Sequence, residues 1–346
     1  MITELVKITD IAAPEAIAAI DKAAKIIKKG GLVVMPTETV YGLGGNGLDS
    51  AAAEKIYAAK GRPADNPLII HIAEPREAEN YCHVPPLYHA LAKAFMPGPL
   101  TVIMPKKDIV PFSVTAGLET VAVRCPDHPV AQALINVAGV PIAAPSANLS
   151  GKPSPTNASY VLEDMNGKVD MIIDGGECDI GLESTIVMIK NDALTLLRPG
   201  AVTFDALTMV CDKVTIAPAV LEMLKEDEKP LSPGMKYKHY APSTPLVLLD
   251  GEEENVIAYL QNEIKSQKCA VLCYNEEIPY LNGASLLPIG KKDDMAAHAH
   301  NLFTLLRDAD KLGCHIIYAH LPPKTGLGLA LYNRMIRAAA HTIKKV

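Results

Sequence analysis

The sequence predicts an α/β protein in two domains, a larger one on a mixed sheet and a smaller one on a mainly parallel sheet. Three observations carry this. Short apolar runs of strand length alternate with longer stretches whose apolar residues recur every three or four positions. Two of the runs, Thr185–Ile189 and Leu194–Leu197, are too closely spaced for a crossover helix and so read as a hairpin inside a mixed sheet. The alternation dissolves between about Lys213 and Pro245 and then resumes, and 346 residues suit two domains.

In chain order, Pro14 to Lys29 reads as a helix with Ile17, Ile20, Ala24 and Ile27 on one face, stopped by Gly30-Gly31. Leu32–Met35 is a buried strand, followed by the polar, glycine-rich stretch PTETVYGLGGNG. Ser50–Lys60 is a helix that Gly61 breaks and Pro63 keeps from resuming. Leu68–Ile72 is the next strand. Helix PPLYHALAKAF stops at Pro97-Gly98-Pro99, and strands follow at Thr101–Met104 and Val121–Arg124. Helix Pro129–Val137 precedes strand Pro141–Ala144, a second polar loop PSANLSGKPSPT, helix Ala158–Met165 and strand Met171–Ile173. Beyond the hairpin, Thr203–Val210 is the last regular segment of this half. A stretch with five prolines then reads as an extended linker. Its run SPGMKYKHYAP carries tyrosines, lysines and a histidine that a tether does not need, so a lid is expected. Leu246–Leu249, Ala270–Cys273 and His315–Ala319 are strands alternating with helices Glu252–Lys265, Asp294–Leu312 and Gly326–Ala340, and no constellation of chemical residues stands out among them. The expected division is 1–210, a linker 211–245, and 246–346.

Composition narrows the function. With 49% apolar and 21% charged residues the chain can bury a sizeable core. A net charge of −6 excludes a general nucleic-acid coat but allows a local basic cleft. No tryptophan and 4 phenylalanines leave few platforms for base stacking. There is no basic segment leading an apolar run at the start and no apolar stretch of about 20 residues, so no secretion signal or membrane span is expected. Seven scattered cysteines suit reduced thiols, and a cytoplasmic location is expected. Cys269 and Cys273 read as core. His298 and His300, two apart on a helix, point to different faces, and no metal site built from protein ligands is expected.

Lys60 and Arg62 sit in KGRPADNPLIIH, on the connection between a helix end and a strand start, where open α/β sheets border their ligands. Arginine offers a planar fork for phosphate or carboxylate and lysine a point charge; alone, the pair reads as a solvated helix end. Arg124 follows the apolar run VAV and Arg198 follows LTLL. Four such cations together point to an anionic, phosphate-bearing ligand. Ser146 and Asn148, with Ser150, Ser154 and Thr156 nearby, offer directional hydroxyls and amides, and Thr37, Glu38 and Thr39 form another polar cluster after a strand. Gly42–Gly47 matches GxGxxG, but six residues including Pro36 separate it from the strand and Glu74 lies too far on. Glycines that let backbone pack closely or approach a ligand explain the stretch better. Gly151-Lys152 lacks the upstream glycine of a phosphate loop and is followed by Pro153.

PTETVYGLG, KGRPADNPLIIH, PGPLT, TAGLETVAVRCPDHP, PIAAPSANLSGKPSPT, GLESTIV, LRPG and SPGMKYKHYAP together closely resemble the threonylcarbamoyl-AMP synthases, the YrdC-like family in its long, two-domain form. The resemblance covers essentially the whole chain, and Lys60, Arg62, Ser146 and Asn148 match the family's KxR and SxN signature. It implies a twisted mixed sheet with flanking helices and a concave, positively lined cavity, plus a smaller Rossmann-like α/β C-terminal domain on an extended linker. It implies a nucleotidyltransferase that makes L-threonylcarbamoyl-AMP and pyrophosphate from L-threonine, bicarbonate and ATP, with Mg²⁺ arriving on the ATP. The product would pass to a tRNA threonylcarbamoyl transferase complex that modifies tRNA next to the anticodon; direct tRNA binding is left open. The family pattern puts threonine near Thr39, His71, Arg124, Ala144 and Ser184. It puts ATP near Lys60, Arg62, Asn66, Thr120, Ser146, Asn148, Ser154, Arg198 and Tyr237, with Lys60 and Arg62 as the catalytic cations. Two other readings stand beside it: a non-catalytic RNA-binding module using the basic cavity, and a nicotinamide-dependent oxidoreductase built on Gly42–Gly47.

Overall fold

The computed structural model describes residues 2–222 and 239–346. They form two compact units. One takes the residues up to Ser150, Ser154–Asp179 and the described residues from Glu183 to 222; the other takes Gly151–Pro153, Ile180–Leu182 and the described residues from 239 on.

In the first unit the described strands are β1 (Glu4–Lys7), β2 (Val33–Met35), β3 (Gly42–Asn46), β4 (Ile69–His71), β5 (Leu100–Pro105), β6 (Thr120–Arg124), β7 (Ile142–Ala143), β8 (Met171–Asp174), β9 (Thr185–Lys190), β10 (Ala193–Arg198) and β11 (Val214–Ile216). They make one sheet in the order β1-β8-β2-β3-β7-β4-β6-β5-β9-β10-β11. The sheet is mixed, as expected: β4 runs parallel to β6 and β5 to β9, whereas β5 with β6 and β9 with β10 are antiparallel. The β9–β10 hairpin turns on Asn191 and Asp192, both at positive φ, the backbone of a tight hairpin turn. Helices Pro14–Lys28 and Pro129–Ala138 cover the sheet through Ile20, Ala24, Ile27, Leu134 and Ile135, which pack against Val33, Met35, Ile142 and Ile173. Burying these large aliphatics stabilises the unit by roughly 1.5–3 kcal/mol each relative to exposure.

The second unit holds β12 (Leu246–Asp250), β13 (Cys269–Tyr274), β14 (Ser285–Gly290), β15 (Ile316–His320) and β16 (Ile343–Lys345), paired in the order β14-β13-β15-β12-β16, every pair parallel. Helices Glu253–Ser266, Met295–Lys311 and Gly328–Ala338 alternate with the strands. Cys269 and Cys273 lie in its core, as expected.

Several local expectations change. The GxGxxG stretch is no loop: Gly42–Asn46 is a strand antiparallel to β2, and a Cβ on Gly44 would meet Ile142 Cγ2 at 2.8 Å and the Val33 carbonyl at 3.0 Å. Close packing, not a cofactor, demands those glycines, and the nicotinamide reading loses its footing. Lys60 is not on loop backbone but is the last residue of helix Ser50–Lys60, which Gly61 closes in the left-handed conformation. The stretch read as linker from 211 begins with a strand, β11, whose Leu194↔Val214 register extends the sheet. Residues 223–238, with Tyr237 and the expected lid, lie outside the described residues.

Candidate functional site

The site follows from register. In neighbouring strands, directly paired residues send their side chains to the same side of the sheet. His71 on β4 pairs with Arg124 on β6, Arg124 pairs with Thr101 on β5, and Thr101 pairs with Ile186 on β9, which in turn pairs with Arg198 on β10. On the other flank His71 pairs with Ile142 on β7, and the Ala144 N–H donates to the Ile69 carbonyl at 2.9 Å. One belt across six strands therefore carries Ala144, His71, Arg124, Thr101 and Arg198. Ser184, just before β9, joins it through Thr101, the two hydroxyls 2.7 Å apart. Arg198 donates from Nε to the Ser184 carbonyl at 3.0 Å and from Nη2 to its hydroxyl at 3.1 Å. Two residue steps along the same side, Ile69, Ala122, Ile103 and Met188 form an apolar floor.

The charges on this belt are buried. Arg124 is 4% exposed and Glu38 5% exposed. Arg124 donates from Nη2 to Glu38 Oε1 at 2.6 Å and from Nε toward the Gly98 carbonyl at 3.4 Å. Burial, and then the charge of Arg124, push the His71 imidazole down to about 3, so it is neutral across the physiological range. Its Nδ1 lies 3.2 Å and 3.3 Å from the Ile69 and Ile142 carbonyls, which assigns the proton to that nitrogen. Thr39 is fully buried, its hydroxyl 2.9 Å from that of Thr37. Burial also raises the thiols of Cys125 and Cys178, which stay protonated.

A second group forms where helix Ser50–Lys60 meets the loop after β7. Lys60, 3% exposed, donates from Nζ to the Ser146 carbonyl, to the Asn148 carbonyl at 2.6 Å and toward Asn148 Oδ1 at 3.4 Å. The Ser146 hydroxyl donates to Asn148 Oδ1 at 2.5 Å. Lys60 is thus a buried ammonium pinning the Ser146–Asn148 loop, because a capped helix end carries it inward. Arg62, half-buried, donates from Nη2 to the Asn66 carbonyl at 2.9 Å and the Pro67 carbonyl at 3.1 Å. Asn66 is fully buried, and neither atom of its amide has a partner among the described residues. Buried amides are seldom left so. Ser154 donates to Glu183 Oε1 at 2.6 Å, one residue from Ser184.

Of the expected residues, Thr120 stands apart: it opens β6 four positions from Arg124, roughly 13 Å along the strand. Sequence reasoning passed over Thr101 and the pairing of Glu38. Thr101 carries no signal beyond β propensity. Glu38 carries one, an acid between two threonines directly after a buried strand. Among the described residues no helix is long and apolar enough to cross a membrane, and no three His, Cys, Asp or Glu side chains cluster as metal ligands would.

Comparisons with known proteins show the family. Residues 25–200 match a family model described as telomere recombination, and residues 202–340 match the threonylcarbamoyl-AMP synthase C-terminal domain. The threonylcarbamoyl-AMP synthase of Pyrococcus abyssi is 44% identical over 334 residues, 94% of this chain and 95% of that protein. That of Bacillus subtilis is 43% identical over 323 residues, 92% of each. Among solved structures, P. abyssi Sua5 complexed with L-threonine superposes with a TM-score of 0.90 at 42% identity, covering 100% of both chains. E. coli YciO covers 57% of this chain and 96% of its own, with a TM-score of 0.52 at 26% identity. Matched along nearly its whole length, at this identity and with this fold, the chain belongs to the threonylcarbamoyl-AMP synthase family.

Proposed function

We propose that the chain is an enzyme that makes L-threonylcarbamoyl-AMP and pyrophosphate from L-threonine, bicarbonate and ATP, a nucleotidyltransfer. The observation that carries this reading is the belt of Ala144, His71, Arg124, Ser184 and Arg198 on adjacent strands, close-set enough to hold one small amino acid beside an anion. Arg124 takes the threonine carboxylate, with Thr39, the neutral His71, Ala144 and Ser184 reading the remaining groups. Lys60, Arg62 and Arg198 offset the charge of the triphosphate, and Asn66, Thr120, Ser146, Asn148, Ser154 and Tyr237 orient the nucleotide. The buried amide of Asn66 supports this, since a purine or phosphate edge would satisfy it. The threonine carbamate attacks the α-phosphorus and pyrophosphate leaves, a step governed by positioning and by offsetting charge. Mg²⁺ comes with ATP, held by phosphate and water. The product is passed to a tRNA threonylcarbamoyl transferase complex in the cytoplasm, where seven free, buried thiols remain reduced.

Pyrophosphate release from ATP should require threonine and bicarbonate together, with the adenylate of threonylcarbamate identified by mass spectrometry. Equal release with serine, or none with threonine, would remove the substrate assignment. An RNA-binding module without turnover is not favoured: its signature would be salt-steep RNA affinity with no pyrophosphate.

A further inference from the structure

Resting on that reading, we propose that Glu38 receives a proton from the α-ammonium of bound threonine and so frees the amine to capture carbon dioxide. Glu38 lies between β2 and β3, and only Oε1 meets Arg124. Oε2 is equally buried and has no partner among the described residues. A buried arginine–carboxylate pair that served only stability would close both oxygens, since each unmade hydrogen bond costs about 1–3 kcal/mol. Here one acceptor is held ready. An amino-acid zwitterion completes the set: its carboxylate meets Arg124, its ammonium meets the open oxygen, and the charges then alternate.

The neighbours leave Glu38 as the acceptor. His71 is too weak a base, its imidazole lowered by burial and by Arg124. His128, also lowered by burial, spends its acceptor Nδ1 on the Val130 N–H at 3.2 Å. Cys125 and Cys178, whose thiols feel the charge of Glu38, are held protonated, first by burial. Arg124 is a donor only.

The step balances. An N–H bond of the ammonium breaks and an O–H bond forms on Glu38. Bicarbonate releases carbon dioxide and hydroxide, and the amine lone pair forms the N–C bond to the carbon dioxide. Hydroxide takes the second nitrogen proton as water, leaving the carbamate anion. Glu38 returns its proton to solvent before the next turnover.

Glu38→Gln tests this, because the amide keeps its size and its oxygen can still face Arg124. Near neutral pH, forward synthesis should fall roughly 10²–10³-fold. The reverse partial reaction, ATP formation from threonylcarbamoyl-AMP and pyrophosphate, starts from the finished carbamate and should stay within about threefold of wild type. The forward defect should shrink between about pH 7 and about pH 9.5, where solution supplies free amine. Glu38→Asp, which keeps a carboxylate, should retain at least about tenfold more forward rate than the amide variant, and it carries the test if the amide variant does not fold. Equal loss in both directions, a defect that ignores pH, or an Asp variant no better than Gln would overturn the inference while the synthase reading stands. Failure of the wild-type chain to form ATP in reverse would overturn both.

Discussion

Glu38 in the first unit and Glu277 in the second are both buried carboxylates set against one nitrogen-bearing side chain, and they are finished differently. Glu277, 0% exposed, accepts from His320 Nε2 at 2.6 Å through Oε1 and from the Tyr274 N–H at 2.8 Å through Oε2. It closes the turn after β13 and ties it to the end of β15, while the Tyr274 ring stacks on His298 and His320 at 5.3 Å and 4.5 Å. Glu38 uses one oxygen and leaves the other open. Asn66, in the same unit, leaves its whole amide open. Buried polar groups in a structural role find partners within the chain or in ordered water. At Glu38 and Asn66 the proposed substrates would supply the missing partners. The contrast separates a unit proposed to hold substrates from a unit whose buried carboxylate serves the fold.

The largest expected effect breaks this contrast if it fails. Arg62→Ala should lower pyrophosphate release roughly 10²–10³-fold, as removal of one preorganised charge contact does. Its melting curve should move by little more than the loop hydrogen bonds it loses, about 1 kcal/mol each. Turnover within about threefold of wild type would make Arg62 a structural cation.

The second effect sets the two carboxylates side by side. At Glu277 two donors approach two oxygens, and a glutamine, with one acceptor oxygen, must strand one of them. Glu277→Gln should therefore cost about 1–3 kcal/mol of stability in denaturant unfolding. At Glu38 the amide oxygen keeps a hydrogen bond to the arginine, but the buried guanidinium loses its counter-charge, so Glu38→Gln should cost more, about 3–5 kcal/mol. A loss below about 1 kcal/mol would show that the guanidinium does not depend on Glu38 for its counter-charge.

A further effect sharpens the contrast through pH. His71 faces a cation, whereas His320 faces a carboxylate. With the folded value of His71 at about 3 and an unfolded value near 6.5, the unfolded chain binds the extra proton between those limits. Its contribution to stability is present above about pH 6.5 and is lost as pH falls toward about 3, by at most about 1.4 kcal/mol per pH unit. His71→Asn should flatten that part of the acid limb, measured as unfolding free energy against pH. An unchanged limb would mean that the imidazole is not held neutral.

Local signals made much of the fold legible. Helices Ser50–Lys60 and Ala158–Met165 were readable to the residue, because Asp49 and Asn157 cap their starts and Gly61 or Asn166 ends them. Strand β3 was hidden because glycines have no β propensity; it exists because β2 and β7 flank it and Ile142 needs the space. Strand β14 was hidden because Pro288 and Gly290 interrupt its apolar run, and β1 and β16 by alternating or fully exposed residues at sheet edges.

In the site, the sequence by itself determined the inventory. Cations at helix and strand ends, hydroxyls and amides in two loops, and an acid between two threonines are properties of local spacing, and they sufficed to point to an anionic ligand. The motif blocks extended that to a family. Only the tertiary structure decided which of these groups meet. Arg124 and Glu38 are 86 positions apart and Lys60 and Asn148 are 88 apart, distances at which spacing carries no information about contact. Strand register joins His71, Arg124 and Thr101 on one side of the sheet, and a slip of one residue would turn them away from it. The open oxygen of Glu38 is likewise a tertiary fact, because whether a buried acceptor is satisfied depends on every donor that packing brings within about 3 Å of it.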